Sequence, residues 1–195
     1  MEKPTKEIGA IVIGASAGGL AALQKICRNL DENFSIPVII VQHIHAHSDG
    51  FMAWHLNSIS PLKVKEAEDK EKLEEGIIYV APANYHIIVD DDSVISLTTD
   101  ERVNYSRPSI DVLFESAADV YRDRLVGVIL TGANDDGTAG MSAINQSGGI
   151  TIIQNPQTAE VRTMPESVLR QVHVDQVLSL EKISEFLNTL NELGN

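Results

Sequence analysis

Short apolar runs alternate with amphipathic segments along most of the chain, and no other feature of the sequence limits the fold as much. Strands that are buried on both faces of a parallel sheet are continuously apolar, and helices connect them. The predicted strands span residues 8–13, 38–42, 77–81, 125–130, 150–154 and 176–179, and the predicted helices span residues 20–29, 50–58, 109–121, 138–147, 165–171 and 180–193. We therefore expect an α/β fold with a doubly wound, mostly parallel sheet and helices on both faces.

Residues 85–98 depart from this alternation. Two extended runs flank Asp90, Asp91 and Asp92 there, and this pattern predicts a hairpin that forms an antiparallel edge. The rest of the 195 residues contains neither an internal repeat nor a low-complexity linker. A chain of this length is sufficient for one hydrophobic core, so we expect residues 1–195 to form a single domain.

Charge and composition disfavour several classes of function. The formal net charge of −13 argues against binding to nucleic acid, which depends on lysine and arginine. No apolar run is long enough to cross a membrane, and glycines interrupt the N-terminal stretch that a signal peptide would need. The one cysteine, Cys27, is typical of a reducing compartment. We expect a cytoplasmic protein with no nucleic-acid partner and no insertion into a membrane.

Polar residues follow three of the predicted strands. Ser16 lies in a glycine-rich turn after the first strand, His43 follows the second, and the acids Asp135 and Asp136 follow the strand at 125–130. Because the carboxyl ends of parallel strands meet at one edge of a sheet, these side chains can lie close together. A serine, a histidine and an acid form the set that hydrolysis through an acyl-enzyme requires. The order Ser…His…Asp differs from that of the α/β-hydrolases, and glycine-rich turns also bind phosphates.

Three other interpretations stay open. One alternative is a metal-binding segment, suggested by the histidines His43, His45, His47 and His55. No second group of ligands accompanies them, so we predict no metal site. A dinucleotide site would need a glycine where Ser16 stands and an acid at the end of the second strand, but this strand ends in Gln42 and His43. The third interpretation is a non-catalytic domain that retains the fold and serves as a docking module, which would belong to whatever system the motifs below indicate.

Six motifs in a fixed order make the interpretation more specific. They are residues 13–19 (IGASAGG), 41–43 (VQH), 79–82 (YVAP), 107–114 (RPSIDVLF), 130–141 (LTGANDDGTAGM) and 164–165 (MP). Over residues 8–187 the chain resembles the catalytic domain of the CheB family of chemotaxis protein-glutamate methylesterases. The resemblance implies a doubly wound sheet and hydrolysis of glutamyl methyl esters on a methyl-accepting chemoreceptor or a related sensor protein. It further implies release of methanol without a cofactor and, as in many members, deamidation of receptor glutamines.

The resemblance also assigns roles by matching position. Ser16 would be the nucleophile, His43 the base and Asp136 the orienting acid, whereas Asp135 is expected to be a solvated turn residue. We expect backbone N–H groups at Ala17, or in the loop of Ala133 and Asn134, to stabilise the oxyanion.

Three departures from the family pattern concern substrate and regulation. Many chemotaxis members carry threonine and methionine where this chain has Ala17 and Ala133, which alters substrate fit but keeps a backbone donor. They usually carry a phosphoacceptor domain ahead of the esterase; we expect none here, and no control by phosphorylation in cis. The acidic chain would repel acidic receptor segments, but Arg102, Arg107 and Arg162 are candidates for a positive rim that binds substrate. A structural ion pair is an equal alternative for Arg107.

Overall fold

A computed structural model describes residues 7–43 and 50–191. The strands are β1 (Ala10–Ala15), β2 (Val38–Gln42), β3 (Lys63–Glu66), β4 (Ile77–Val80), β5 (His86–Asp90), β6 (Val94–Thr98), β7 (Leu125–Ile129), β8 (Ile150–Gln154) and β9 (Gln176–Leu178). The helices are α1 (Gly19–Arg28), α2 (Phe51–Ile59), α3 (Ile110–Tyr121), α4 (Thr138–Gln146), α5 (Thr163–Gln171) and α6 (Leu180–Asn191). Every predicted strand and helix is present, with small displacements of its ends, and the last two residues of the predicted helix 180–193 lie outside the described residues.

The main sheet has seven strands in the order β3-β4-β2-β1-β7-β8-β9, and every neighbouring pair is parallel. The doubly wound parallel sheet is therefore confirmed. Strand β3 was not predicted from the sequence, because Val64 is its one apolar residue. It pairs only with β4, and an edge position of this kind leaves charged side chains such as Lys63 in solvent.

The hairpin of β5 and β6 is confirmed as an antiparallel pair. It forms a sheet of its own, however, and the expected position at an edge of the main sheet is wrong. The apolar side chains of Ile87, Val89 and Ile95 are buried in one cluster with Phe114 of α3. The backbone N–H of Val89 also donates to Oγ of Ser116 at 3.2 Å. Packing against α3 and backbone hydrogen bonds to residues 70–73, rather than pairing with an edge strand of the main sheet, hold the hairpin.

Two apolar clusters cover the opposite faces of the main sheet. Ile11 and Ile13 of β1 point into the cluster that includes buried residues of α1, α2 and α6, whereas Ala10 and Val12 point into the cluster shared with α3, α4 and α5. This alternation follows from the two-residue period of a strand. None of the helices in the described part of the chain combines the length and the apolarity needed to cross a bilayer.

The order of the strands also sets where a ligand can bind. Strand β1 is central, with β2 on one side and β7 on the other, so the chain changes direction in the sheet at this point. In open α/β sheets the crevice beyond the carboxyl ends of such strands is the usual binding site.

Candidate active site

Three predicted side chains meet at the carboxyl ends of β1, β2 and β7. Ser16 directly follows β1, His43 directly follows β2, and Asp136 lies in the loop between β7 and α4. Oγ of Ser16 is 3.2 Å from Nδ1 of His43, and Nε2 of His43 is 2.7 Å from Oδ2 of Asp136. In the tautomer that carries its proton on Nε2, His43 donates to Asp136 and directs a lone pair at the serine hydroxyl. This arrangement can remove a proton from Ser16.

The turn that carries Ser16 is fixed by its backbone. Gly18 has a φ of 76°, a left-handed conformation that favours glycine, and α1 begins directly after it. The N–H of Ser16 donates to the carbonyl of Thr131 at 3.0 Å, and Oγ1 of Thr131 donates to the carbonyl of Ala17 at 2.8 Å. Thr131 is buried and thereby ties the turn to the loop after β7.

Gln42 joins the segments that carry Ser16 and His43. Its Nε2 donates to the carbonyl of Ser16 at 2.8 Å and to the carbonyl of His43 at 3.0 Å. Its Oε1 is buried without a hydrogen-bond partner among the described residues and occupies the space that a Cβ on Gly19 would need. From the sequence, Gln42 was part of the 41–43 motif (VQH) and counted against a dinucleotide site, but no supporting role was predicted for it. The available signal was a polar residue at the end of an apolar strand.

Asp136 is fully buried and receives its hydrogen bonds mainly from the start of α3. The N–H of Ile110 donates to Oδ2 at 2.8 Å. Oδ1 accepts from the N–H of Asp111 at 3.1 Å and from Oγ of Ser109 at 2.9 Å. Ser109 is the residue before α3 and makes no capping hydrogen bond to its own helix. Asp136 therefore caps α3 in its place, at the end of the helix that favours an anion.

These donors decide the charge of the buried carboxyl. Burial alone would raise the pKa of Asp136, but hydrogen bonds from His43 and from the backbone of Ile110 and Asp111 outweigh it and lower the pKa to about 2. Asp136 is therefore a carboxylate near neutral pH and can hold the imidazole of His43 in one tautomer.

The adjacent acid, Asp135, has a different environment. It is exposed, and its carboxylate takes part in no hydrogen bond or ion pair with the residues described. Its backbone carbonyl accepts from the N–H of Thr138 at the start of α4. The geometry thus distinguishes the two acids of the loop, and Asp136 is the one that contacts His43.

The predicted oxyanion donors lie in two loops, the turn between β1 and α1 and the loop between β7 and α4. The backbone N–H groups of Ala17, Ala133 and Asn134 donate to no residue in the described ranges. Ala17 and Ala133 are exposed, while Oδ1 of Asn134 is buried without a partner among the described residues. An open depression beside the serine is lined by Ser16, Gly18, Gly19, Leu20, Ala21, Gln24 and Gln42. The three N–H groups are free for a ligand, and their role stays a prediction.

Arg107 binds its own surroundings. Its guanidinium donates to Oδ1 of Asn84 at 2.8 and 3.3 Å and to the carbonyls of Thr99 and Asp100 at 2.6 and 2.8 Å. A guanidinium has five N–H groups, so at most one is left for a substrate. This geometry favours a structural role for Arg107, although the role involves no ion pair. No contact described here supports its predicted role in substrate binding.

Histidines outside the series have separate surroundings. Nε2 of His55 is 2.6 Å from Nε2 of Gln24, and its ring stacks on Phe51. Nε2 of His86 donates to the carbonyl of Glu101 at 3.0 Å. His45 and His47 lie outside the described residues. Across 7–43 and 50–191, no group of three or more histidine, cysteine or acidic side chains is arranged to hold a metal ion.

A parallel α/β sheet with a serine, a histidine and an aspartate hydrogen-bonded in series at its strand ends defines the geometry of a serine hydrolase. Comparison with known proteins narrows this class. The chain belongs to the CheB methylesterase family, whose model matches residues 11–187.

Individual relatives agree with this assignment. A protein from Leptospira interrogans is 51% identical over 183 residues, which are 94% of this chain and 95% of the relative. The protein-glutamate methylesterase/protein-glutamine glutaminase of Thermotoga maritima is 36% identical over 188 residues, which cover 95% of this chain and 55% of that protein. The crystal structure of the Thermotoga maritima CheB methylesterase catalytic domain superimposes with a TM-score of 0.91 and covers 95% of this chain and 100% of that one, at 36% identity.

Proposed function

We propose that this protein is a serine esterase that hydrolyses glutamyl methyl esters of a chemoreceptor or a related sensor protein, with Ser16, His43 and Asp136 as its catalytic residues. The observation that carries this proposal is the continuous series of hydrogen bonds from Ser16 through His43 to Asp136, at 3.2 and 2.7 Å. Membership in the CheB methylesterase family supports the choice of substrate.

The reaction would proceed in two halves. Oγ of Ser16 attacks the ester carbonyl while Nδ1 of His43 takes the hydroxyl proton. Asp136 stabilises the imidazolium, and free N–H groups such as that of Ala17 stabilise the oxyanion. His43 then returns the proton to the leaving methoxide, so methanol departs and a glutamyl ester of Ser16 remains. Water, deprotonated by His43, hydrolyses this ester to the glutamate side chain and free enzyme.

The same residues accommodate an amide in place of the ester. With a receptor glutamine as substrate, His43 would protonate the leaving nitrogen and ammonia would depart. The name of the Thermotoga maritima relative includes this glutaminase activity. A cytoplasmic location is part of the proposal, because Cys27 is a buried free thiol of the kind found in a reducing compartment.

Methanol release tests the proposal directly. Membranes that carry receptors methylated in vitro are incubated with the wild-type chain, with Ser16→Ala and with Ser58→Ala. Removing the nucleophile is expected to lower the rate by at least about 10⁴-fold. Ser58→Ala is the control, since this exposed hydroxyl contacts only the carbonyl of His55 and its removal leaves the rate unchanged.

The pH profile gives an independent check, since a general base must be unprotonated to accept the serine proton, and the rate should therefore fall at acidic pH. An active Ser16→Ala protein, or a rate that does not fall at acidic pH, contradicts the mechanism. Absence of methanol release by the wild-type chain would instead favour a docking module.

A further inference from the structure

A second buried carboxyl lies beside Asp136 and has no role in the reaction described above. Asp111, in the first turn of α3, is 6% exposed. Its Oδ1 accepts from the backbone N–H of Gly140 at 2.7 Å, in the first turn of α4. Asp136, from the loop before α4, caps α3 in turn. The two helices thus exchange capping acids, and this exchange brings two carboxyls together.

The side-chain amide of Asn104 bridges these carboxyls. Its Nδ2 donates to Oδ2 of Asp111 at 2.9 Å and to Oδ1 of Asp136 at 3.3 Å. An amide nitrogen carries two hydrogens, so both are used. The bridge leaves Oδ2 of Asp136 to His43 and Ile110.

A tight turn delivers Asn104 to this position. Asn104 and Tyr105 have φ values of 49° and 63°, and Val103 and Ser106 exchange backbone hydrogen bonds of 3.2 and 2.8 Å on either side of them. Two consecutive residues with positive φ are typical of a type I′ turn, which accepts asparagine readily. Tyr105, at 95% exposure, gains no burial from its unusual conformation. The turn therefore serves to present the Asn104 side chain.

The bridge depends on the charge of Asp111. When Asp111 is ionised, both of its oxygens accept hydrogen bonds, from Gly140 and from Asn104. When it is protonated on Oδ2, its O–H meets the N–H of Asn104, and two donors face each other. Rotation of the Asn104 amide by half a turn relieves this conflict, but it then directs the amide oxygen at Asp136.

We propose that Asp111 and Asn104 are a positioning pair for Asp136: ionised Asp111 holds the Asn104 amide in the orientation that donates to Asp136, and protonation of Asp111 breaks that hydrogen bond. The pair acts through Asp136 on His43 and touches no substrate. This inference rests on the catalytic residues proposed above.

The surroundings of Asp111 raise the pKa of its carboxyl toward neutral pH. Burial raises its pKa to about 6, and the negative charges of Asp136 and of Glu115 on the same helix add to the increase against the opposing hydrogen bond from Gly140. A second open depression, separate from the one beside Ser16, is lined by Asn104, Asp111 and the exposed acid Asp135. A proton can reach Asp111 through it. From α4 the depression is lined by Thr138, Ala139 and Ser142, none of which carries a charge.

Two variants test the hydrogen-bond bridge through Asn104 while keeping the backbone conformation around it. Asn104→Gly removes the amide and keeps a residue that adopts positive φ without strain. Asp111→Asn removes the titrating group, and its own amide must place a donor against either Gly140 or Asn104. Each variant is expected to lower kcat at neutral pH by about 3- to 10-fold, and the double variant should lower it no further. Asp135→Asn removes the same charge from the same depression and is the matched control.

The pH profile supplies a readout that a purely structural role would not change. In the wild-type chain the acidic limb of kcat/KM should be steeper than one proton allows, since protonation of Asp111 adds to that of the catalytic base. In Asn104→Gly and Asp111→Asn it should have the slope of a single protonation. Equal slopes in all forms, or additive losses in the double variant, overturn the proposal.

A titration that needs no activity completes the test. The side-chain amide resonances of Asn104 are followed by nuclear magnetic resonance from about pH 5 to pH 7. They should shift with the titration of Asp111 in the wild-type chain and stay constant in Asp111→Asn, and constant resonances in both overturn the proposal. A wild-type chain that releases no methanol would contradict the proposed function, while this titration would still decide on the bridge.

Discussion

The two ends of the Ser16–His43–Asp136 series are held in opposite ways. At the acid end, Asp136 is fully buried and its carboxylate accepts hydrogen bonds from His43, Ser109 and two backbone amides of α3. At the serine end, Ser16 is half-buried, and its own backbone, not its side chain, makes the fixing contacts with Thr131 and Gln42.

This difference follows from what each end has to do. The acid keeps one charge and one orientation through the cycle, so buried donors hold it without cost to the reaction. The serine must form and break a bond with an incoming chain, so its hydroxyl and the N–H of Ala17 need to stay free. The comparison implies that changes at the acid end affect stability and rate together. Removal of the serine side chain should affect the rate alone, whereas changes in the backbone that supports it should affect the rate through the position of Ser16.

Asp136→Asn should have the largest effect at the acid end. An amide places a donor where the carboxylate accepts from His43 or from α3, so kcat should fall by about 10³- to 10⁴-fold. The free energy of unfolding should fall by about 2–3 kcal/mol, because buried amides of α3 lose their acceptor. Ser16→Ala should be at least as inactive but within about 0.5 kcal/mol of the wild-type stability. Urea unfolding beside methanol release measures both, and equal stabilities for the two variants would remove the distinction between the ends.

Gly19→Ala tests the backbone support of the serine end. A Cβ there would overlap Oε1 of Gln42 and lie 2.8 Å from Cβ of Ala15. Gln42 must then move, and its Nε2 leaves the carbonyls of Ser16 and His43. We expect kcat to fall by about 10- to 100-fold and the free energy of unfolding by about 1–3 kcal/mol.

The background variant Gln42→Ala makes this test specific. Removing the side chain relieves the overlap, so adding Gly19→Ala to Gln42→Ala should cause little further loss. A full penalty for Gly19→Ala in that background would mean that the glycine matters for another reason.

The pH dependence of the free energy of unfolding reports on the buried carboxylate of Asp136 and needs no activity measurement. The pKa of Asp136 is lowered to about 2 in the folded protein, so the group contributes stability above about pH 4, and this contribution is lost as the pH falls to 2. The raised pKa of Asp111 acts in the opposite direction, and its effect lies between about pH 4 and 6. The difference in unfolding free energy between wild type and Asp136→Asn should shrink by about 2 kcal/mol from pH 4 to pH 2. A constant difference would mean that Asp136 is not the titrating group.

Sequence patterns predicted the parts of the fold that depend on local periodicity. Continuous apolar runs identified six strands of the main sheet, whereas Val64 alone could not reveal β3. The residues at 85–98 predicted a hairpin, but the surface against which it packs is decided by α3, which is distant in sequence. Periodicity therefore predicts elements better than it predicts their partners.

The candidate site shows the same limit. The rule that parallel strands end at one edge predicted from the sequence that Ser16, His43 and an acid of the loop after β7 lie near one another, and the family resemblance selected Asp136 as that acid. The supporting side chains were missed because their contacts join distant segments. Asp111 looks like an ordinary acid in the first turn of a helix, and only the position of α4 makes it a cap for Gly140 and a neighbour of Asp136.

Ala17→Thr should have the smallest effect and sharpens the account of the serine end. The side chain of Ala17 is exposed, and the substitution keeps its N–H and the hydrogen bond from Thr131 to its carbonyl. We expect kcat to stay within about 3-fold of the wild-type value, with a change of similar size in KM. Thr131→Val is the matched comparison, since it preserves shape but removes the hydroxyl that donates to the Ala17 carbonyl and accepts from the N–H of Val161. It should lower kcat by about 10-fold. If Ala17→Thr proved the more damaging of the two, the side chain at this position, and not the orientation of its peptide, would govern the reaction at Ser16.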